Sequence, residues 1–244
     1  MMIKHLVASL CLGLAFVQAQ AAQPLRVAVD PTFPPMEYVE NGQHTGFDVQ
    51  LIEALAAKLA RPVEYVDMDF KGLVPSILAG RSDVVASAIY ITPERLKVVD
   101  FTDSYYTGGL VIMVQAGNTA LKTPEDLPGK RVAVQVGTKS VQVLKDRFPT
   151  AQLVEVEKNE QMFNSLETGR VDAVVTGKPA ALLYAKNRAS AQVLAQPVTA
   201  EEYGMAVSKD DPQLRQALND ALRALKEDGT YAKLVAQWFG SAAN

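Results

Sequence analysis

The chain has 244 residues, 48% of them hydrophobic and 21% charged, with a net charge of −3. That is globular material, long enough for one large or two modest cores and too apolar for disorder. Charge spread without long runs leaves no electrostatic footprint for nucleic acid or an anionic membrane, so both drop out as partners.

At the start, Lys4 and His5 precede an apolar stretch from Leu6 to Val17, and Ala19-Gln20-Ala21 sets small residues around a cleavage point. Residues 1–21 therefore read as a secretory signal peptide that delivers the mature protein to the periplasm. The stretch is too short for a spanning helix, and no other segment is apolar for the roughly 20 residues a span needs. Cys11, the only cysteine, lies inside the signal, where Leu10 before it argues against a lipid anchor; the mature chain should carry no thiol or disulfide. His44 is then the only remaining histidine, so no Cys/His metal site and no serine or cysteine triad can be assembled. No metal, cofactor or catalytic residue is expected, and His44, in the turn-like Asn41-Gly42-Gln43-His44, reads as a solvated loop residue.

In chain order, Leu25 to Asp30 reads as a buried strand, after which Pro31, Pro34 and Pro35 hold an extended loop. Asp48 to Ala60 has the apolar spacing of an amphipathic helix. A strand at Val63 to Val66, a short helix at Leu73 to Ala79 and a strand at Asp83 to Ala88 complete a βαβαβ run, the mark of a mostly parallel sheet. The pattern then repeats through a strand at Arg131 to Val136, a helix at Ser140 to Phe148, a strand at Leu153 to Val156, a helix at Glu160 to Thr168, a strand at Val171 to Thr176 and a helix at Pro179 to Asn187. Two similar α/β lobes follow. Residues 77–85 align with 166–174, each copy having a glycine that ends the helix and an aspartate that opens the next strand. Ala88 and Gly177 become equivalent positions just past the carboxyl end of a parallel strand, where open α/β sheets bind ligands. The chain ends with a strand at Gly204 to Ser208 and two helices, opened by Pro212 and Thr230. Trp238 and Phe239 should anchor the last helix on the first lobe.

Thr92-Pro93-Glu94-Arg95 combines an N-cap, a first-turn proline and a helpful acid with an arginine that opposes the helix dipole. Arg95 reads either as an anion ligand or as a solvated side chain bridging to Glu94 or Asp100. Gly137-Thr138-Lys139-Ser140 is a second strand-turn-helix junction with donors for an anion, or a plain N-cap. Phe33, Phe70 and Tyr90 sit at loop tips and offer apolar walls, although Phe70 could equally be core.

These residues resemble the bacterial extracellular solute-binding proteins of polar amino acid ABC transporters. The resemblance runs from Arg26-Val27-Ala28-Val29-Asp30 through Gly46-Phe47-Asp48, Asp69-Phe70-Lys71-Gly72-Leu73, Ile91-Thr92-Pro93-Glu94-Arg95 and Gly137-Thr138 to Trp238-Phe239-Gly240. It implies an α/β, type II two-lobe periplasmic binding-protein fold, with mostly parallel sheets flanked by helices and joined by two crossover strands. Lobe 1 would comprise 22–108 plus 204–244, and lobe 2 would comprise 109–203. The resemblance also implies that Arg95 takes a ligand carboxylate, aided by N–H groups near Ala88, Tyr90 and the Gly137-Thr138-Lys139 turn. Phe33 and Phe70 would sandwich the ligand's side chain and Asp30 would help read it. Gly177 stands where the family usually has the aspartate that grips an α-ammonium, so the ligand's cationic group is expected to be absent, alkylated or displaced toward Asp30 or Glu37, or held by another carboxylate of the cleft. A modified or acidic amino acid is the expected solute, and Gly177→Asp is expected to improve binding of simple amino acids. The implied function is capture of a small carboxylate-bearing solute, an amino acid or derivative, by a monomer that delivers it to an ABC permease. A cyclohexadienyl dehydratase-like enzyme and a ligand-binding sensor subunit are the alternatives on the same scaffold.

Overall fold

The computed structural model describes residues 22–240, so the signal-peptide reading falls outside the described residues. Among them no helix is long and apolar enough to cross a membrane.

Leu-Arg-Val-Ala-Val at Leu25–Val29 is rich in β-branched residues and buried almost throughout, as suits a central strand. It pairs in parallel with Val63–Asp67 on one side and Val84–Val85 on the other. Ala206–Val207 then pairs antiparallel with both Val84–Val85 and Asp100–Phe101 to complete five strands. The second sheet has the same plan. Arg131–Gln135 lies between the parallel strands Gln152–Val156 and Ala173–Gly177, and Leu110–Gln115 runs antiparallel between Ala173–Gly177 and Ala191–Val193.

Helices cover both sheets. Phe47–Lys58 buries Phe47, Leu51, Ile52 and Leu55, and Pro212–Glu227 buries Leu214, Leu218, Leu222 and Leu225 as one stripe. Thr230–Phe239 is tied to the first lobe as expected: Trp238 Nε1 donates to Gln50 Oε1 at 2.9 Å, and the Phe239 ring meets Phe47 at a tilt, 4.9 Å between centroids.

Two features differ from the sequence expectation. The proline-rich stretch is not merely an extended loop, because Thr32–Phe33, Glu37–Glu40 and Gln43–Thr45 form a small antiparallel sheet. Nor is His44 simply solvated: its ring stacks on Tyr65 at 4.2 Å and its Nε2 lies 2.6 Å from Asp67 Oδ1. Between the lobes the chain passes twice, at Tyr106–Thr107 and Glu202–Tyr203, and these two segments pair antiparallel with each other.

Candidate functional site

The carboxyl ends of the parallel strands from both sheets point at one another across a cavity. Its walls are Phe33, Phe70, Tyr90, Leu110, Val175 and Tyr203. Asp30, Glu37, Gln135, Thr138, Lys139, Ser140, Asn159 and Thr176 supply its polar groups, with Ala88 and Gly177 at the strand ends. Eight of the sequence-predicted residues therefore meet here: Asp30, Phe33, Phe70, Ala88, Tyr90, Thr138, Lys139 and Gly177.

Arg95 and Gly137 line an adjoining depression instead, sharing Phe70 with the cavity. The helix that carries Arg95 is a single turn, Pro93–Leu96, and the Arg95 N–H is already taken by the Thr92 hydroxyl at 3.2 Å. Such a turn has little dipole to offer an anion, so what Arg95 brings is its guanidinium. Its Nη1 donates to the Tyr90 carbonyl at 2.9 Å and its Nη2 to the Gly137 carbonyl at 3.2 Å, so Arg95 bridges the lobes directly behind the cavity wall. Its carbon centre sits 5.5 Å over the Phe70 ring, and burial pushes the group down to about 10. Lys139 turns inward rather than to solvent: its side chain is 16% exposed and its Nζ lies 3.8 Å from Glu201 Oε1. Thr138 is drawn back, donating its hydroxyl to the Gln135 carbonyl at 2.7 Å.

A buried network crosses the cleft floor. Gln135 Nε2 donates to Asp30 Oδ2 at 2.6 Å, and Asn159 Nδ2 donates to Gln135 Oε1 and to Thr32 Oγ1, both at 3.2 Å. At the rim, Lys71 pairs with Glu157 and Lys158 with Asp69, each at 2.6 Å. Below the floor, the Asp30 N–H donates to Ser87 Oγ, which donates to Glu37 Oε1 at 2.8 Å. The Ala88 N–H donates to Asp48 Oδ2 at 2.6 Å, which holds Ala88 at a φ of +43°, a conformation few L-residues adopt. Burial raises Asp30, raises Glu37 well above the carboxylate range, and pushes Asp48 up to about 7.

The expectation for Gly177 is corrected by its surroundings. A Cβ there would fall 2.6 Å from Tyr203 Oη and 3.0 Å from Phe33 Cζ, so the space of the missing aspartate is already filled. Tyr203 is fully buried and donates its hydroxyl to Tyr90 Oη at 3.0 Å, and the Gly109 N–H donates to the same oxygen at 3.2 Å.

Sequence reasoning missed Gln135, Asn159, Thr176 and Tyr203. One signal could have found Gln135. Arg26-Val27-Ala28-Val29-Asp30 and Arg131-Val132-Ala133-Val134-Gln135 differ only in the last residue. Asp30 and Gln135 are thus equivalent strand ends, and they bond to each other across the cleft.

Two α/β lobes, doubly connected and closed over a cavity at their facing strand ends, define a solute-binding protein of the type II two-lobe class. Comparison with known proteins is specific: the chain belongs to the bacterial extracellular solute-binding proteins, family 3, whose model matches residues 25–241. It is 34% identical over 242 residues to ABC transporter arginine-binding protein 1 of Escherichia coli (strain K12), covering 97% of this chain and 99% of that protein. Among solved structures it is similar to an ancestral arginine-binding protein bound to glutamine, at 41% identity and a TM-score of 0.85 over 89% of this chain and 98% of that one. It is also similar to the ancestral amino acid-binding protein AncCDT-1, a precursor of cyclohexadienyl dehydratase, at 42% identity and a TM-score of 0.84 over 88% of this chain and 95% of that one.

Proposed function

We propose that this protein captures an amino acid or close derivative in the periplasm, after export by the signal at 1–21, and delivers it as a monomer to the permease of an ABC transporter. The observation that carries the reading is the cavity itself, which joins aromatic walls to a basic corner at Lys139 and to the buried carboxylates Asp30 and Glu37. Thr138 and Lys139 form that corner, and Arg95, in the adjoining depression behind the wall, turns toward it to take the ligand's carboxylate: two of its five guanidinium donors are committed to carbonyls, which leaves three for a ligand. Phe33 and Phe70 are the walls against its side chain. Lobe 1, 22–108 plus 204–244, closes on lobe 2, 109–203, about the paired crossovers. Binding rather than turnover is supported by the relatives above, two of them named arginine-binding proteins and the third an amino acid-binding protein.

A thermal-shift screen tests this. Mature protein would be melted with L-arginine, L-glutamine, L-histidine, L-cystine and, as a class without an amine, simple dicarboxylates. A ligand at about a hundred times its Kd adds about 2.7 kcal/mol, or about 5–10 °C for a chain of this size. No shift with any amino acid overturns the reading.

A further inference from the structure

Two carboxylates line the cavity, and they are not equally available. Asp30 is committed: Thr32 donates to its Oδ1 at 2.9 Å and Gln135 to its Oδ2 at 2.6 Å, with the Lys158 ammonium 3.8 Å from Oδ1. Glu37 is 1% exposed and accepts from Ser87 on Oε1, while its Oε2 has no hydrogen-bond partner. Directly behind it, Asp48 also has one oxygen, Oδ1, without a partner. A buried carboxylate oxygen with neither donor nor cation is costly, and such groups are found paired or protonated. Position 177, meanwhile, cannot hold a side chain beneath Tyr203 and Phe33.

On the reading that this cavity holds an amino-acid-like solute, we infer that Glu37 is the acid that selects the ligand's cationic nitrogen, the role closed off at position 177. An ammonium or guanidinium reaching the floor would give Oε2 its missing donor and offset the charge of the pair. The groups facing Glu37 are Asp48 from the helix Phe47–Lys58, Asp30 at the end of Leu25–Val29, and the hydroxyls of Ser87, Tyr105 and Tyr203; none is positive. With no cation present, burial and the Asp48 charge keep a proton on Glu37. Binding then exchanges one cation for another: the Glu37 O–H bond breaks, the proton leaves to solvent, and the carboxylate accepts an N–H from the ligand. The ligand class is an amine- or guanidine-bearing carboxylic acid.

Calorimetry on the mature protein tests this, with L-arginine, L-glutamine and L-cystine as probes on the wild type, Glu37→Gln and Asp30→Asn. Glu37→Gln keeps the shape and the Ser87 contact but cannot take up the ligand's charge, so it should bind about 30-fold or more weakly, with a ligand-free melting temperature no lower than wild type. Asp30→Asn should weaken binding less. Repeating the wild-type titration at neutral pH in buffers of different ionisation enthalpy should show release of about one proton per ligand. Equal affinity in wild type and Glu37→Gln overturns the inference and leaves the solute-binding reading standing, as does a larger loss in Asp30→Asn. If Glu37→Gln does not fold, the wild-type titration decides, and binding without proton release overturns the inference. A wild type that binds neither these probes nor any amino acid of the thermal-shift screen removes both readings.

Discussion

At the amino-terminal ends of the two central strands the lobes make the same contact twice. Arg26 donates its backbone N–H to Asp83 Oδ2 at 3.0 Å, and its guanidinium to Asp83 Oδ1 at 2.6 Å and to the Gly80 carbonyl at 2.7 Å. Arg131 repeats this with Asp172 at 2.8 and 2.7 Å and with the Gly169 carbonyl at 3.2 Å. Gly80 and Gly169 share a φ near +65°, at +65° and +67°, which presents the carbonyl to the arginine at little steric cost. The opposite ends of the same strands have diverged completely. There Asp30 faces Gln135 and Ala88 corresponds to Gly177, with Glu37 and Asp48 buried on one side and Lys139 on the other. A duplicated scaffold keeps its clamps where only folding depends on them, and varies the edge where a solute is read.

The comparison predicts where a substitution will be felt and as what. The largest effect should come at the ligand edge. Arg95→Ala should cost about 2–5 kcal/mol of binding with the fold intact, and Arg95→Lys should recover only part of it, since an ammonium lacks the planar fork. Affinity unchanged in the alanine variant, measured by calorimetry, would remove Arg95 from the site.

Gly177→Ala should destabilise by about 1–3 kcal/mol through the clash with Tyr203 Oη, and Gly177→Asp should weaken binding rather than improve it. Combining Gly177→Ala with Tyr203→Phe should cost less than the sum of the single changes. Additive losses in denaturant melts would show that the hydroxyl is not the obstacle.

The two edges should also respond oppositely to pH. Hydrogen bonds from Arg131 hold Asp172 below the carboxylate range, and Asp83 is held low against its own desolvation by bonds from Arg26. These clamps contribute above about pH 4 and are lost as pH falls through the depressed values. Desolvation raises Glu37 and Asp48, the latter to about 7, so their contribution is complete below about pH 4 and declines as pH rises through about 7. The ligand-free melting temperature should therefore peak on the acid side of neutrality, and Glu37→Gln should flatten the alkaline limb alone. A melting temperature that climbs steadily from pH 5 to 8 would contradict this.

The smallest effect separates the clamps. Asp83 is 21% exposed and is also met by Arg61 at 3.2 Å, whereas Asp172 is 37% exposed with one arginine. Asp83→Ala should cost about 1–3 kcal/mol and Asp172→Ala about 0.5–1, because solvent screens the second pair more. Equal losses in urea melts would show that the two repeats are energetically the same.

Much of this was legible in one dimension. Periodicity marked most strands and helices that carry the site, and the glycine-to-aspartate repeat at 80–83 and 169–172 showed a duplicated lobe, because helix ends and strand starts are set by local backbone needs. Even so, the aspartates read as turn openers, and their arginine partners 57 and 41 residues away were visible only in the fold. Local pattern also placed aromatic loop tips, the arginine after Thr92 and the Thr138-Lys139 turn near strand ends, where α/β ligands bind.

What the sequence by itself determined, then, was the class of fold, the repeat and half of the residues around the cavity. Only the tertiary structure decided how those residues are spent. That Asp30 is bound to Gln135, that Arg95 reaches across to the Gly137 carbonyl and that Tyr203 fills the space beside Gly177 all depend on contacts between segments 26 to 105 residues apart and on the closing of two lobes. Hydrogen bonding and burial are properties of such neighbours, so whether a carboxylate is paired, like Asp30, or left with an open oxygen, like Glu37, has no local signature in the chain.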